Sequence, residues 1–230
     1  MTLRKSTFFI MRNRFILLLL LLPAMVSGQV NDAGLWSSIN LQKKLNGKFT
    51  VDLCQEFRFN ENISELGSFF TEASLQYKIN KRISVSAGYR FINKRELDDH
   101  YSKRHRALID LNLKHKISKV TAAARIRFQS QFADYYSSET GKIPENYLRT
   151  KLTFKYDTGK RITPSIGGET FVNLNRAEGM LLDTYRLSAG LEYEINKRTS
   201  VEVGYLLDKE IQVSEPWTSY ITTVGFNYNF

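Results

Sequence analysis

The sequence predicts an all-β fold: an antiparallel up-and-down transmembrane β-barrel of ten to twelve strands, with short periplasmic turns and longer extracellular loops. Three observations predict it. Apolar and polar residues alternate with period two along most of the chain after residue 28. Short turns and longer polar connections alternate between the resulting strands, and one hairpin-sized motif returns later in the chain.

Composition narrows the field before any motif is read. A chain of 230 residues suits one domain, and its single Cys excludes both a disulfide framework and paired-Cys metal signatures. Charged residues at 24% beside 13% aromatics exclude a disordered tail. A mean hydropathy of −0.33 excludes a helical membrane bundle.

Residues 1–28 read as a secretory signal peptide. Arg4, Lys5, Arg12 and Arg14 form a basic start, Phe15 to Leu22 an apolar core, and Val26-Ser27-Gly28 a small-residue cleavage site. The apolar core is too short to span a ~30 Å hydrocarbon layer comfortably. Residues 29–230 then form the barrel domain. Without the four leader bases they carry 29 Lys+Arg against 23 Asp+Glu, a charge of +6. That excess is modest and no nucleic-acid motif accompanies it, so nucleic acid is not an expected partner.

The strands follow in order. Leu35 to Leu41 opens the series. Phe49, Val51, Leu53, Phe57 and Phe59 then share one face, with Thr50, Asp52, Cys54, Glu56 and Arg58 on the other. The stretch between the polar loop at 60–67 and the turn at Asn80 supplies the third. Ile83, Val85, Ala87, Tyr89 and Phe91 mark the fourth, Ala107 to Leu113 the fifth, and Val120 to Phe128 the sixth. Leu148 to Tyr156, Ile162 to Val172, Tyr185 to Ile195 and Thr199 to Leu207 continue the pattern, and Tyr220 to Phe230 closes it.

Eleven candidate strands result. Bacterial single-chain barrels usually have an even number. The expectation is therefore twelve, with an extra short strand near Val30, or ten if residues 29–45 do not form a full strand.

Short connections at Leu45-Asn46-Gly47-Lys48, Asn80-Lys81-Arg82, Ser118-Lys119, Asp157-Thr158-Gly159-Lys160 and Asn196-Lys197-Arg198 carry the residues of tight hairpins. Longer polar connections fall near 60–67, 93–103, 133–145, 174–183 and 208–217. The stretch from Tyr77 through Ile79-Asn80-Lys81-Arg82 to Tyr89 returns from Tyr193 through Ile195-Asn196-Lys197-Arg198 to Tyr205. The building unit is thus one long hairpin.

Alternation alone does not say which face points outward. The secretion signal, the tyrosines at strand ends on the apolar face (Tyr77, Tyr89, Tyr156, Tyr193, Tyr205) and the glycines on the polar face favour lipid outside and a crowded lumen inside. The closing strand, with Phe226, Tyr228 and the terminal Phe230, reads as the membrane assembly signal of a Gram-negative outer-membrane protein. The expected location is the bacterial outer membrane. The expected partners are outer-membrane lipid, lipopolysaccharide and the outer-membrane assembly machinery.

With these features in place, the chain resembles the uncharacterised outer-membrane β-barrel family of Bacteroidota known as domain of unknown function 2490. Trp36, Glu56-Phe57-Arg58, Ala87-Gly88-Tyr89-Arg90, Pro164, Glu169-Thr170-Phe171 and the closing aromatic strand carry the resemblance, which covers nearly all of residues 30–230. It implies a fold and a location but no activity.

The polar face is heavily charged, and unevenly so. Strands around 104–155 supply mostly bases, those around 165–208 mostly acids. Arg106, Arg125, Arg127 and Arg149 are the candidate basic wall of the lumen, and Glu169, Glu192 and Glu202 the candidate acidic wall. Two readings stay open. One is an interior ion-pair network, since burying many unpaired charges is prohibitive. The other is a narrow, transversely polarised lumen with some anion preference. The expected function is accordingly a porin-like channel or binder of small polar or anionic solutes. The alternative is a closed structural or partner-docking barrel.

No catalytic residue, metal site or cofactor is expected. The weak hydrolase alternative is the cluster Asp98, Asp99, His100, Ser102 and His105 near the outer rim, which has the right residue types without the His-x-Ser strand pair of barrel lipases. Tyr135-Tyr136 and Pro216-Trp217 are aromatic pairs in long loops that could contact a glycan or a protein.

Overall fold

In a computed structural model, the structure describes residues 31–133, 144–176, 179–212 and 216–230. The signal peptide expected over 1–28 and the pair Tyr135-Tyr136 lie outside the described residues. Eleven strands follow one another: β1 (Asn31–Lys44), β2 (Phe49–Asn60), β3 (Glu65–Lys78), β4 (Ile83–Arg95), β5 (Tyr101–Ile117), β6 (Val120–Ala133), β7 (Glu145–Tyr156), β8 (Ile162–Arg176), β9 (Gly179–Glu194), β10 (Thr199–Glu210) and β11 (Thr218–Asn229). Each pairs with its neighbours in sequence, and β1 meets β11 to close the barrel.

The all-β barrel is as expected; the preference for an even number of strands is not. An up-and-down meander with an odd number sends its first and last strands in the same direction, so the seam has to be parallel. It is: Asn31 pairs with Thr218 and the register continues to Gln42 with Asn229. The described residues close the barrel with eleven strands, because β1 begins at Asn31 and already serves as the partner of both β2 and β11; the extra strand expected near Val30 lies outside the described residues.

The short turns show why the hairpin motif repeats. Asn46 Oδ1 accepts the amides of Lys48 and Phe49 at 2.9 and 2.8 Å. Asn80 does the same for Arg82 and Ile83 at 2.8 and 2.9 Å, and Asn196 for Arg198 and Thr199 at 2.8 and 3.0 Å. One side-chain carbonyl thus satisfies two turn amides that no ladder partner can reach, which is the reason for Asn at this position.

At the opposite end the strands run on further than hydropathy indicates. The polar stretches 93–103 and 174–183, expected as long loops, are largely ladder: β4 continues to Arg95 and β5 starts at Tyr101, while β8 ends at Arg176 and β9 starts at Gly179. Backbone pairing needs no apolar side chain. Above the apolar band both faces of the sheet can be polar, and the alternation fades while the hydrogen bonds persist.

The outer surface is an apolar belt. Ile109, Ile166, Leu187, Leu191 and Val203 all point away from the lumen and are more than half exposed. Aromatic contacts border it near the short turns, with Phe49 and Tyr77 ring centroids 5.0 Å apart and Tyr228 edge-on to Phe230 at 4.8 Å. Inside, space is short. A Cβ on Gly88 would come within 2.8 Å of the Ser74 Cβ and 3.0 Å of Leu108 Cδ1, so glycine is required by close approach.

The parallel seam has a direct test. With Cys54→Ser as background, cysteine pairs at Leu35/Thr222 and Leu41/Tyr228, both direct partners in the β1–β11 register, should each oxidise to a disulfide in the refolded protein. An antiparallel seam would bring at most one pair together, which gel mobility under non-reducing conditions distinguishes.

Candidate functional site

Inward parity delivers arginines and aromatic rings to the same level of the lumen. Arg58 lies over Trp36 at 3.8 Å and faces Phe70 at 5.1 Å; Arg90 covers the other neighbourhood of Phe70 at 3.7 Å. Across the barrel Arg149 and Arg186 approach Phe171 at 4.2 and 4.5 Å, and Arg186 returns to Trp36 at 5.1 Å. Arginine suits this geometry because its flat face stacks on a ring while its edge keeps hydrogen-bonding.

Carboxylates take those edges. Glu56 pairs with Arg58 at 2.6 Å and Asp208 with Arg186 at 2.8 Å. Arg127 forks onto both oxygens of Asp110 at 2.6 and 2.8 Å. Glu72 bridges Arg90 at 2.5 Å and Arg127 at 3.7 Å, and Glu169 bridges Arg125 at 2.7 Å and Arg149 at 2.8 Å. Gln129 accepts from Arg149 at 3.0 Å, and Gln131 accepts from Arg106. The result is a waist of stacked and paired side chains filling the middle of the barrel.

Arg106, Arg125, Arg127 and Arg149 are therefore all in the lumen, on the adjacent strands β5, β6 and β7. The acids expected opposite them divide. Glu192 and Glu202 lie on β9 and β10 as a direct cross-strand pair, Glu192 held by Lys155 at 2.9 Å. Glu169 is instead enclosed by the bases, clasped between Arg125 and Arg149. Sequence reasoning missed the rings: Trp36, Phe70 and Phe171 share the polar parity, where a large apolar residue breaks the alternation. That break was the available signal.

The waist separates two chambers. One, of about 620 Å³, opens toward the ends that carry Asp32, Lys94, Glu210 and Trp217 and has Arg58, Arg90 and Phe171 in its lining. The other, of about 790 Å³, lies at the short-turn end.

Near the rim, the residues of the hydrolase alternative do not converge. Asp98 accepts from His100 at 2.5 Å, and this bond holds the Asp98 carboxyl below its ordinary range. Ser102 is buried, hydrogen-bonded to Glu96 and to the Lys94 carbonyl. His105 points outward onto Tyr89 and Phe91. No hydrogen bond among the described residues joins Ser102 to either histidine.

An apolar exterior around a charged, filled interior defines an inside-out β-barrel. The chain belongs to the family described as protein of unknown function DUF2490, whose model matches residues 33–218. It is 26% identical over 154 residues to an uncharacterised protein of Methylorubrum extorquens, covering 65% of this chain and 66% of that one. Among solved structures it is similar to an anion-selective porin from Comamonas acidovorans, with a TM-score of 0.39 and 11% identity, over 78% of this chain and 53% of the porin.

Removing Glu169 leaves the buried Arg149 and the part-buried Arg125 without their shared anion. Glu169→Gln should lower stability by roughly 3–5 kcal/mol, read as the urea midpoint of tryptophan fluorescence in detergent. Asp157→Asn, which breaks an exposed pair with Lys116, should leave that midpoint nearly unchanged.

Proposed function

We propose that this protein is a bacterial outer-membrane barrel that holds small polar solutes in a lumen closed at its waist, without passing them by free diffusion. One observation carries the reading. The waist side chains are packed like a core: Phe70 and Leu108 are 2% exposed, Ile221 3%, Arg127 5% and Arg149 6%. Water is nearly excluded there, while the chambers on either side stay open.

The membrane setting is supported by the exterior. A continuous belt of exposed Ile, Leu, Val and Phe is untenable in water and suited to hydrocarbon. A closed barrel satisfies every ladder group without an edge, the condition for crossing lipid with strands. Lipid and lipopolysaccharide would cover this belt. Phe226, Tyr228 and Phe230, on the outer face of β11 and just beyond it, would be read by the assembly machinery. The chamber at the long-loop end offers a solute both signs of charge, from Lys94 and Glu210, beside Trp217, which suits a small polar molecule.

Planar-bilayer recording tests the closed waist. The refolded barrel should give no discrete current steps, whereas Phe70→Ala combined with Leu108→Ala should create them by removing the two most deeply buried waist side chains. Steps from the unsubstituted protein would overturn the reading.

A further inference from the structure

The short-turn chamber is chemically unlike the one above the waist. Lys44, Lys48, Lys78, Lys114, Arg125 and Lys151 line its wall, Lys81 and Arg82 its rim, and no lining residue is a carboxylate. We propose that it is a binding site for soluble phosphate-bearing anions.

Three features carry the assignment. First, the cations are not neutralised locally. Among the described residues Lys44, Lys78, Lys114 and Lys151 have no carboxylate oxygen within 4.0 Å, and Arg125 shares its one carboxylate, Glu169, with Arg149. Of the other acids on the inner face, Asp52 accepts from Gln42 at 2.6 Å and Glu192 from Lys155 and Ser200, both at 2.9 Å, while Glu202 on β10 is not in the chamber lining.

Second, Arg125 and Lys151 are direct cross-strand partners on the inner face. Like charges in that relation repel, and the one carboxylate beside them, Glu169, which is cross-strand from Lys151 on β8, is shared among Arg125, Arg149 and Lys151. The Arg125 Nε is buried and has no hydrogen-bond partner, so a donor remains unused on the same side chain.

Third, the space is bounded. A chamber of about 790 Å³ enclosed by strands admits a small solute and excludes a nucleic-acid helix. Lys151 and Arg125 lie on the inner face, away from the lipid-facing surface, so the phosphate is that of a soluble molecule and not of a lipid headgroup. Several ammonium groups around one space favour a multiply charged anion over chloride, and lysine serves phosphate well as an adaptable point charge. Gln76, Asn112 and Thr153 in the lining supply neutral hydrogen-bonding groups.

The site requires neither the upper chamber nor a closed waist, so its test and the conductance experiment can fail separately. The full chain, refolded in a maltoside detergent free of phosphate, is titrated calorimetrically with inorganic pyrophosphate at fixed ionic strength. Saturable one-to-one binding is expected, undiminished when chloride replaces another monovalent salt. Lys114→Gln with Lys151→Gln should weaken it by about tenfold or more, with folding verified by heat-modifiable gel mobility. Lys119→Gln, at a turn outside the lining, should leave it unchanged. The absence of saturable heat from the unsubstituted protein would overturn the proposal. So would an equal loss in Lys119→Gln, or full displacement by chloride at the same ionic strength.

Discussion

An arginine inside a narrow barrel has to be satisfied twice, on the faces of its guanidinium and along its edge. Leaving the edge unmet costs several kcal/mol in a space that holds little water, and stacking the faces contributes about 0.5–2 kcal/mol more. Trp36, Phe70 and Phe171 meet the faces, while Glu56, Glu72, Asp110, Glu169 and Asp208 meet the edges. Because the arginines and these partners together come from every strand from β1 to β10, the requirement ties the circumference together from within. It also sets the division of the lumen. At the waist, where rings, acids and arginines converge, the barrel is filled; side chains of the same kinds border the chamber at the long-loop end, and lysines without rings line the one at the short turns.

The short-turn chamber follows from the same rule applied to a different side chain. Lysine ends in a compact, strongly hydrated charge on a flexible stem, so it can keep its water and line a cavity. Arginine, more weakly hydrated and planar, packs. Replacing arginines by lysines in passing from Arg127 and Arg149 to Lys114 and Lys151 is thus a change from wall to vestibule, made within the same two hairpins.

Much of the fold was legible because strand alternation is local. Phe49 to Phe59 or Ile83 to Phe91 need no distant partner to declare a period of two, and Asn46, Asn80 and Asn196 mark their turns by a bond spanning two or three residues. The parallel seam was legible only through the strand count: the eleven strands read from alternation already require it, and the preference for an even number argued against it. Polar strand ends such as Tyr101 to Lys103 were hidden because hydropathy reports the side chains and not the ladder. In the lumen, parity put Arg106, Arg125, Arg127 and Arg149 on the polar face. It could not assign Glu169 to Arg125 and Arg149, because a pairing across strands depends on side-chain reach and register.

The seam carries a kinetic consequence. Every other ladder joins neighbours in sequence and can form as a hairpin, but β1 and β11 meet across 187 residues, as Asn40 and Asn227 do through their side chains at 3.0 Å. Nearly all the high-separation contact order of the molecule is concentrated in this one line, where loop-closure entropy is greatest and parallel pairing is slightly weaker than antiparallel. Until it forms, β1 and β11 are unpaired edges open to a neighbouring chain. The last event of folding is therefore also the one most exposed to competition from intermolecular pairing.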